Sequence, residues 1–275
     1  MGDLKRQTKI LLFVFVMLAW FTRVAFADDA IFMKAPPRNA MPGITTTDLV
    51  LSTERQPRVK ALLSKIAYPV GFVHVFPSKS DGCSDRVRLD RLANEHGCKF
   101  AINAGPFNMQ TGACEGNIVS NGTVFQLESE NQGYASWGMT RDGVHVFGDI
   151  GASTVDDADV VELVSGFVSP LLVDSGKPAT SSSELVAQRQ ALGIDSSGGL
   201  LILTIDGAED RNLGMNMTEL ASAFADLGAQ YAVNLDGGGS TATWMDGDYI
   251  SRPTCLDKLV PECDRAVASI ICIMA

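Results

Sequence analysis

Apolar positions fall into three patterns along the chain. The first is one block, "ILLFVFVMLAWF" (10–21), preceded by Lys5, Arg6 and Lys9 and followed by small residues at Ala25 and Ala27. It predicts a signal peptide over residues 1–27, cleaved before Asp28. Twelve apolar residues fall short of the roughly 20 that span a bilayer, and no later segment reads as a membrane span.

The second pattern is short β-rich runs broken by Asn121-Gly122, Asp142-Gly143 and Asp246-Gly247, as in "GMTRDGVHVF". Asn-Gly and Asp-Gly supply the left-handed conformations that two-residue hairpin turns need, so part of the sheet is predicted antiparallel. Between residues 28 and 80 the signal is weaker. Pro36, Pro37 and Pro42 suggest an extended start, and "RVKALLSKIA" (58–67) reads as one short amphipathic helix.

The third pattern is strand, helix, strand. "LLILTIDG" (200–207) is a buried-strand run. Asn216 followed by Glu219 predicts a capped helix start. Leu220, Phe224 and Leu227 fall on one face, and Gly228 stops the helix. "YAVNL" (231–235) follows. A crossover of this kind predicts parallel neighbouring strands, with Asp206 and Asp236 together at the carboxyl edge where open sheets place ligands. The fold class expected is α+β: one disulfide-bonded domain with a mixed, partly antiparallel sheet, one crossover and flanking helices. Residues 28–80 are expected to pack on a domain spanning 81–275.

Charge narrows the chemistry. The 275 residues carry a net charge of −10, and losing residues 1–27 removes four basic residues and one acidic one, leaving −13. That disfavours nucleic acid, whose binders need a basic face. All six cysteines follow the leader, and an even count in that context predicts three disulfides, with 15 pairings open. The absence of C-x-x-C and the scatter of His74, His96 and His145 point away from zinc and redox motifs. Asn121-Gly-Thr and Asn216-Met-Thr are sequons, each equally readable as a turn or a cap.

"AVNLDGGGSTATW" (232–244) is the stretch with most chemical content. It is no P-loop, since no Lys follows the glycines. A dinucleotide fingerprint fails because β-rich residues, not a helix, come next. A nucleophile elbow fails because no histidine follows His145. What remains is a strand-end carboxylate, Asp236, before small residues whose backbone N–H groups can cradle an anion, or else a tight turn that Asp236 caps.

"INAGPF" (102–107), "QRQALGID" (188–195), "TIDG" (204–207) and "AVNLDGGGSTATW", in that order, resemble the phosphodiester glycosidase domain family over roughly residues 81–272. The resemblance implies hydrolysis of a sugar-1-phosphodiester, of the N-acetylglucosamine-1-phosphodiester kind and α-N-acetylglucosaminidase-like. It also implies the bridges Cys83–Cys114, Cys98–Cys272 and Cys255–Cys263. Pro106-Phe107 departs from the aromatic pair that many relatives carry after the glycine. The chemistry needs a carboxylate near the anomeric carbon, assigned first to Asp236 and second to Asp206. It also needs donors for the leaving phosphate. Gly237, Gly238, Gly239, Ser240 and Thr241 are the expected loop contacts. Asn103 is expected to hydrogen-bond a sugar hydroxyl or to stabilise its own turn, Gly105 to contact the substrate, and Arg189 and Arg265 to clamp the phosphate, with a structural salt bridge as the alternative for each arginine. No cofactor is required by this scheme, though Ca²⁺ or Mg²⁺ at an aspartate-rich edge stays open. The expected partner is a sugar phosphodiester or phosphorylated glycan, and the expected place is outside the cell or in the secretory lumen. Two rival readings are a phosphoglycan-binding protein without turnover and a polysaccharide glycosidase, for which Glu115 is the candidate acid.

Overall fold

The computed structural model describes residues 30–83, 85–128, 133–167, 170–252 and 264–275. These residues are mostly β, in three sheets with three short helices. Sheet one runs β1 (Ile31–Lys34), β9 (Val144–Gly148), β8 (Ser136–Thr140), β10 (Val160–Ser165), β6 (Ile118–Ser120), β7 (Thr123–Gln126). Sheet two runs β12 (Lys177–Pro178), β11 (Val173–Asp174), β15 (Tyr231–Asn234), β13 (Arg189–Ile194), β14 (Leu200–Ile205), β3 (Val59–Ile66), β2 (Ile44–Leu51). Sheet three runs β17 (Asp248–Ser251), β16 (Thr243–Met245), β5 (Phe100–Asn103), β18 (Ser269–Ile273), β4 (Val73–Pro77). The helices are α1 (Leu89–Glu95), α2 (Ala152–Asp157) and α3 (Met217–Asp226).

The three hairpins form where the turn residues sit. Asn121 and Gly122 both have positive φ (46° and 76°) between β6 and β7, as do Asp246 and Gly247 (50° and 100°) between β16 and β17. Asp142-Gly143 joins β8 to β9. The α3 helix also forms as its local signals require. Asn216 accepts from the Glu219 N–H at 2.9 Å while the Glu219 carboxylate accepts from the Asn216 N–H at 3.0 Å. Leu220 and Phe224 are buried, and Gly228 leaves the helix at φ 100°.

Two expectations are corrected. Residues 58–67 are not a helix: 59–66 form β3, central between β14 and β2, with Ala61 to Ser64 all buried. A strand covered on both faces loses the alternation that marks a strand, so its Leu, Ala and Lys content reads as helical. The sheet is also not mixed, since every ladder among the described residues is antiparallel. β14 and β15 do run in the same direction, but β13 lies between them and pairs antiparallel with both. Residues 31–77 do more than pack on a domain, because they supply strands to all three sheets.

The two faces of sheet two bury different cores. Leu192, Ile194, Ile202, Val233 and Leu235 join the main core with Phe100, Ile102 and Ile271 of sheet three and Trp137 and Phe147 of sheet one. Ala191, Leu201, Leu203, Ile205 and Ala232 face α3 and pack on Leu220 and Phe224. Cys83–Cys114 and Cys98–Cys272 are bonded, the latter tying the turn after α1 to β18 across 174 residues of chain. Cys255 and Cys263, with the bridge expected between them, and the signal peptide expected over residues 1–27 lie outside the described residues.

Candidate active site at the Asp236 loop

The β15 strand ends at Asn234, and the chain then leaves sheet two for sheet three. Leu235 still donates to the Gln190 carbonyl, but the Asp236 N–H turns to the Ala104 carbonyl at 2.9 Å, just past β5. Asn103, the last residue of β5, completes the hold. Its Nδ2 donates to the Asp236 carbonyl at 2.7 Å and its Oδ1 accepts from the Ala242 N–H at 3.1 Å. One buried amide thus clamps both ends of the glycine loop. Asn103 is 0% exposed and its amide oxygen and nitrogen both serve the loop, so the expected contact with a sugar hydroxyl is corrected to a positioning role.

The glycines have separate reasons. A Cβ on Gly237 would lie 2.9 Å from the Gln188 carbonyl oxygen, and Gly238 sits at φ 56°. Gly238 to Ser240 make a short 3-10 turn, and Gly239 is buried within it. The cradle of free amides expected here is largely absent. Gly238 N–H goes to Gln188, Ser240 N–H to Gly237, Thr241 N–H to Gly238 and Ala242 N–H to Asn103. What lacks a protein partner is side-chain chemistry: Ser240 Oγ, Thr241 Oγ1, Asn234 Oδ1 and Gln190 Nε2, all buried. Buried polar atoms of a native protein are almost always satisfied, by ordered water or ligand where protein supplies no partner. Ser240 and Thr241 belong to the Asp236 loop itself, whereas Gln190 and Asn234 lie on opposite faces of sheet two, Gln190 with Leu192 and Asn234 opposite Ala191.

Other expected residues separate. Gly105 is a packing glycine: its N–H donates to Ser269 Oγ at 3.2 Å, and a Cβ would sit 3.1 Å from the Ser165 carbonyl. Arg189 is 8% exposed, with Nε donating to the Met215 carbonyl at 3.0 Å and Nη2 to the Leu185 carbonyl. These two N–H groups of its guanidinium brace the approach to α3. Arg265 is half-buried in the segment before β18, where Val87 bridges Val267. Asp206 is exposed at the end of β14, its N–H on the Lys60 carbonyl. It does not adjoin Asp236. With β13 between their strands, the two backbones are about 10 Å apart, two strand spacings. Side-chain alternation puts Asp206 with Thr204 and Ile202 on the main-core face, and Asn234 with Ala232 on the α3 face. Glu115 stands beside the "INAGPF" turn, its N–H on the Pro106 carbonyl.

No local pattern singles out Gln190, Asn234 or Arg86. Arg86 lies with its guanidinium carbon 5.6 Å from the centroid of the Phe107 ring, a contact between chain segments that no local spacing announces. Asn216 is 8% exposed and caps α3 through its Oδ1, whereas Asn121 stands on an exposed turn. Among the described residues no three His, Cys, Asp or Glu side chains converge as a metal site.

Residues 96–274 match the family described as Phosphodiester glycosidase. The chain belongs to the phosphodiester glycosidase family. It is 31% identical over 221 residues to the N-acetylglucosamine-1-phosphodiester alpha-N-acetylglucosaminidase of Bos taurus, a stretch covering 72% of this chain and 41% of the bovine protein. Against the Homo sapiens protein of that name it is 29% identical over 265 residues, covering 86% and 50%. The chain therefore spans half or less of the length of these relatives. The zebrafish catalytic domain of that enzyme, solved in a form auto-inhibited by its pro-peptide, superposes with a TM-score of 0.80 at 25% identity, covering 90% of this chain and 88% of that one. A Synechocystis protein shares the phosphodiester glycosidase fold alone, with a TM-score of 0.63 at 16% identity.

Proposed function

We propose that this chain hydrolyses a sugar-1-phosphodiester, with Asp236 as the carboxylate beside the anomeric carbon. Water adds to C1 as the bond from C1 to the phosphate oxygen breaks. The phosphate monoester leaves with the bonding electrons, and the water's proton passes to the Asp236 carboxylate. A phosphate monoester is a good leaving group, so little help from a general acid is needed. The observation that carries this reading is the anchoring of Asp236 by Asn103 and Ala104 in a loop whose buried Ser240 Oγ and Thr241 Oγ1 have no protein partner, in a chain of this family. The main chain of Asp236 is held by Asn103 and Ala104, so the residue that carries the carboxylate starts from a fixed position.

Asp206 is assigned to substrate binding rather than to a nucleophile pair. Retaining glycosidases hold their carboxyls about 5–5.5 Å apart, which strands separated by β13 do not readily supply. Ser240 and Thr241 are assigned to the sugar, and Arg265 with Arg86 to the phosphate. N-acetylglucosamine is the sugar proposed, from the names of the relatives. Passage through an oxidising secretory route agrees with the two disulfides, and Asn121 is the proposed glycan acceptor there.

Purified oxidised protein incubated with UDP-GlcNAc and with alkyl diesters of several sugar-1-phosphates is expected to release free sugar. The same assay in EDTA decides whether an oxygen-ligated metal takes part. No release from any diester by folded protein contradicts the hydrolase reading and favours a phosphoglycan-binding protein.

A further inference from the structure

Strand ends from all three sheets meet at Asp236. The run after β5 supplies Ala104, whose carbonyl takes the Asp236 N–H, and Gly105, where a Cβ would lie 3.1 Å from the carbonyl of Ser165 at the end of β10. The chain leaving β10 is pinned from both sides. Gly166 donates its N–H to the Ala135 carbonyl, just before β8, at 2.7 Å. Phe167 donates its N–H to the carbonyl of Asn234 at the end of β15, also at 2.7 Å. A Cβ on Gly166 would overlap the Asn234 carbonyl oxygen and lie 2.9 Å from that of Ala135, so only glycine lets the segment come this close. The junction fixes the main chain of Phe167 against the residue two before Asp236.

What emerges there is an aromatic ring. Phe167 is 49% exposed, and among the described residues it is the one Phe, Tyr or Trp that stands out in solvent. Scattered exposed apolar side chains are normal and by themselves call for no ligand. Phe167 differs from exposed Leu185 or Leu213 in being aromatic and in having its main chain bonded next to the candidate catalytic loop. Asn234 and Asp236 are two residues of extended chain apart, about 7 Å, a span that one sugar ring covers.

The chemistry of the ring selects what lies on it. The face of a phenyl ring carries partial negative charge, which repels a phosphate and suits the C–H bonds that make one side of a pyranose apolar. The hydroxyls of a pyranose stacked in this way project from its rim, and Ser240 Oγ and Thr241 Oγ1 of the Asp236 loop lack a protein partner. A phenyl side chain has only two torsions to fix and its backbone is already held, so little ordering remains to be done on binding.

We propose that Phe167 is the surface on which the sugar ring of the substrate lies, with C1 directed to Asp236. The inference rests on the phosphodiester glycosidase reading above and names the residue that recognises the apolar face of the sugar.

The test measures sugar release from UDP-GlcNAc and from the methyl diester of N-acetylglucosamine 1-phosphate. Wild type, Phe167→Ala and Phe167→Trp are compared, each with its melting transition. Phe167→Ala is expected to raise KM about tenfold for both diesters, since the sugar is common to them, and to keep kcat within about threefold. Phe167→Trp is expected to stay within about threefold of wild type in both constants. A second readout needs no turnover. Trp137 and Trp244 are buried, so an emission change present in Phe167→Trp and missing from wild type reports on position 167. N-acetylglucosamine is expected to shift that emission to the blue and to saturate, and UDP is not. An unchanged KM in Phe167→Ala, or no emission shift with N-acetylglucosamine, overturns the assignment. A loss confined to UDP-GlcNAc also overturns it, because it puts the uracil on the ring. Turnover indifferent to Phe167 leaves the hydrolase reading standing; a saturable shift with N-acetylglucosamine and no turnover of either diester by wild type keeps the sugar surface and removes the hydrolase.

Discussion

Asn103 holds Asp236 in place from the neighbouring sheet: its Nδ2 donates to the Asp236 carbonyl at 2.7 Å while its Oδ1 takes the Ala242 N–H at 3.1 Å. The clamp joins the last residue of β5 to both ends of a seven-residue loop. It converts a permissive glycine run into a fixed support.

Removing the clamp separates positioning from stability. Asn103→Ala leaves a buried carbonyl and a buried N–H without partners, which costs about 1–3 kcal/mol. Displacement of the loop by roughly 1 Å is enough to lower kcat about 100-fold. Urea denaturation and steady-state kinetics on the same preparation check both numbers, and the kinetic loss is expected to exceed what the unfolded fraction explains.

Gly237→Ala tests the loop's fit. The added Cβ would meet the Gln188 carbonyl at 2.9 Å, and backbone has to move to relieve it. Sugar release is expected to fall at least tenfold in the variant. Gly199→Ala serves as the control, since its Cβ would find only ordinary contacts at 3.4 Å and beyond.

His145 makes the fold sensitive to acid. Burial holds its pKa down to about 4, against the pull of the Gly198 carbonyl and Asp195. Trp137 Nε1 donates to its Nδ1 at 3.1 Å, and Nε2 lies 2.9 Å from the Gly198 carbonyl, so the ring is neutral with its proton on Nε2. The unfolded chain takes up a proton near pH 6.5 and the folded one does not. This stability is therefore complete above about pH 6.5 and is lost progressively as pH falls to about 4, by roughly 3 kcal/mol in all. Urea midpoints at pH 7, 5.5 and 4.5 are expected to decline in that order, with a shallower decline in His145→Gln.

The two described disulfides are unequal. Cys98–Cys272 closes 174 residues and Cys83–Cys114 closes 31, which by loop closure is worth about 5 against about 4 kcal/mol. Melting of Cys98→Ser/Cys272→Ser beside Cys83→Ser/Cys114→Ser is expected to show the larger loss in the first pair.

What was legible in the sequence was local. The capping box at Asn216 and Glu219 and the Asn-Gly and Asp-Gly turns each act within four residues, and each forms where it is written. Strand neighbours are not local. The run from Asp206 to Asp236 gives the correct relative direction for β14 and β15, yet β13, from earlier in the chain, enters between them. The same insertion buries Arg189 and removes it from the list of free cations. Motif reading reached Asn103 at the end of β5 and Asp236 two residues past the end of β15 because both stand in quotable local runs. It gave no access to Gln190 or Phe167, whose surroundings come from cross-strand register and sheet packing.

The most direct measurement is the rate of sugar release from UDP-GlcNAc by wild type and by Asp236→Asn. Asn keeps the shape and removes the charge, and melting curves taken beside the rates separate lost charge from lost fold. With Asp236 as the catalytic carboxylate, kcat/KM is expected to fall about 10³-fold or more in Asp236→Asn. Activity within tenfold of wild type would contradict it, and would move the chemistry away from the Asp236 loop.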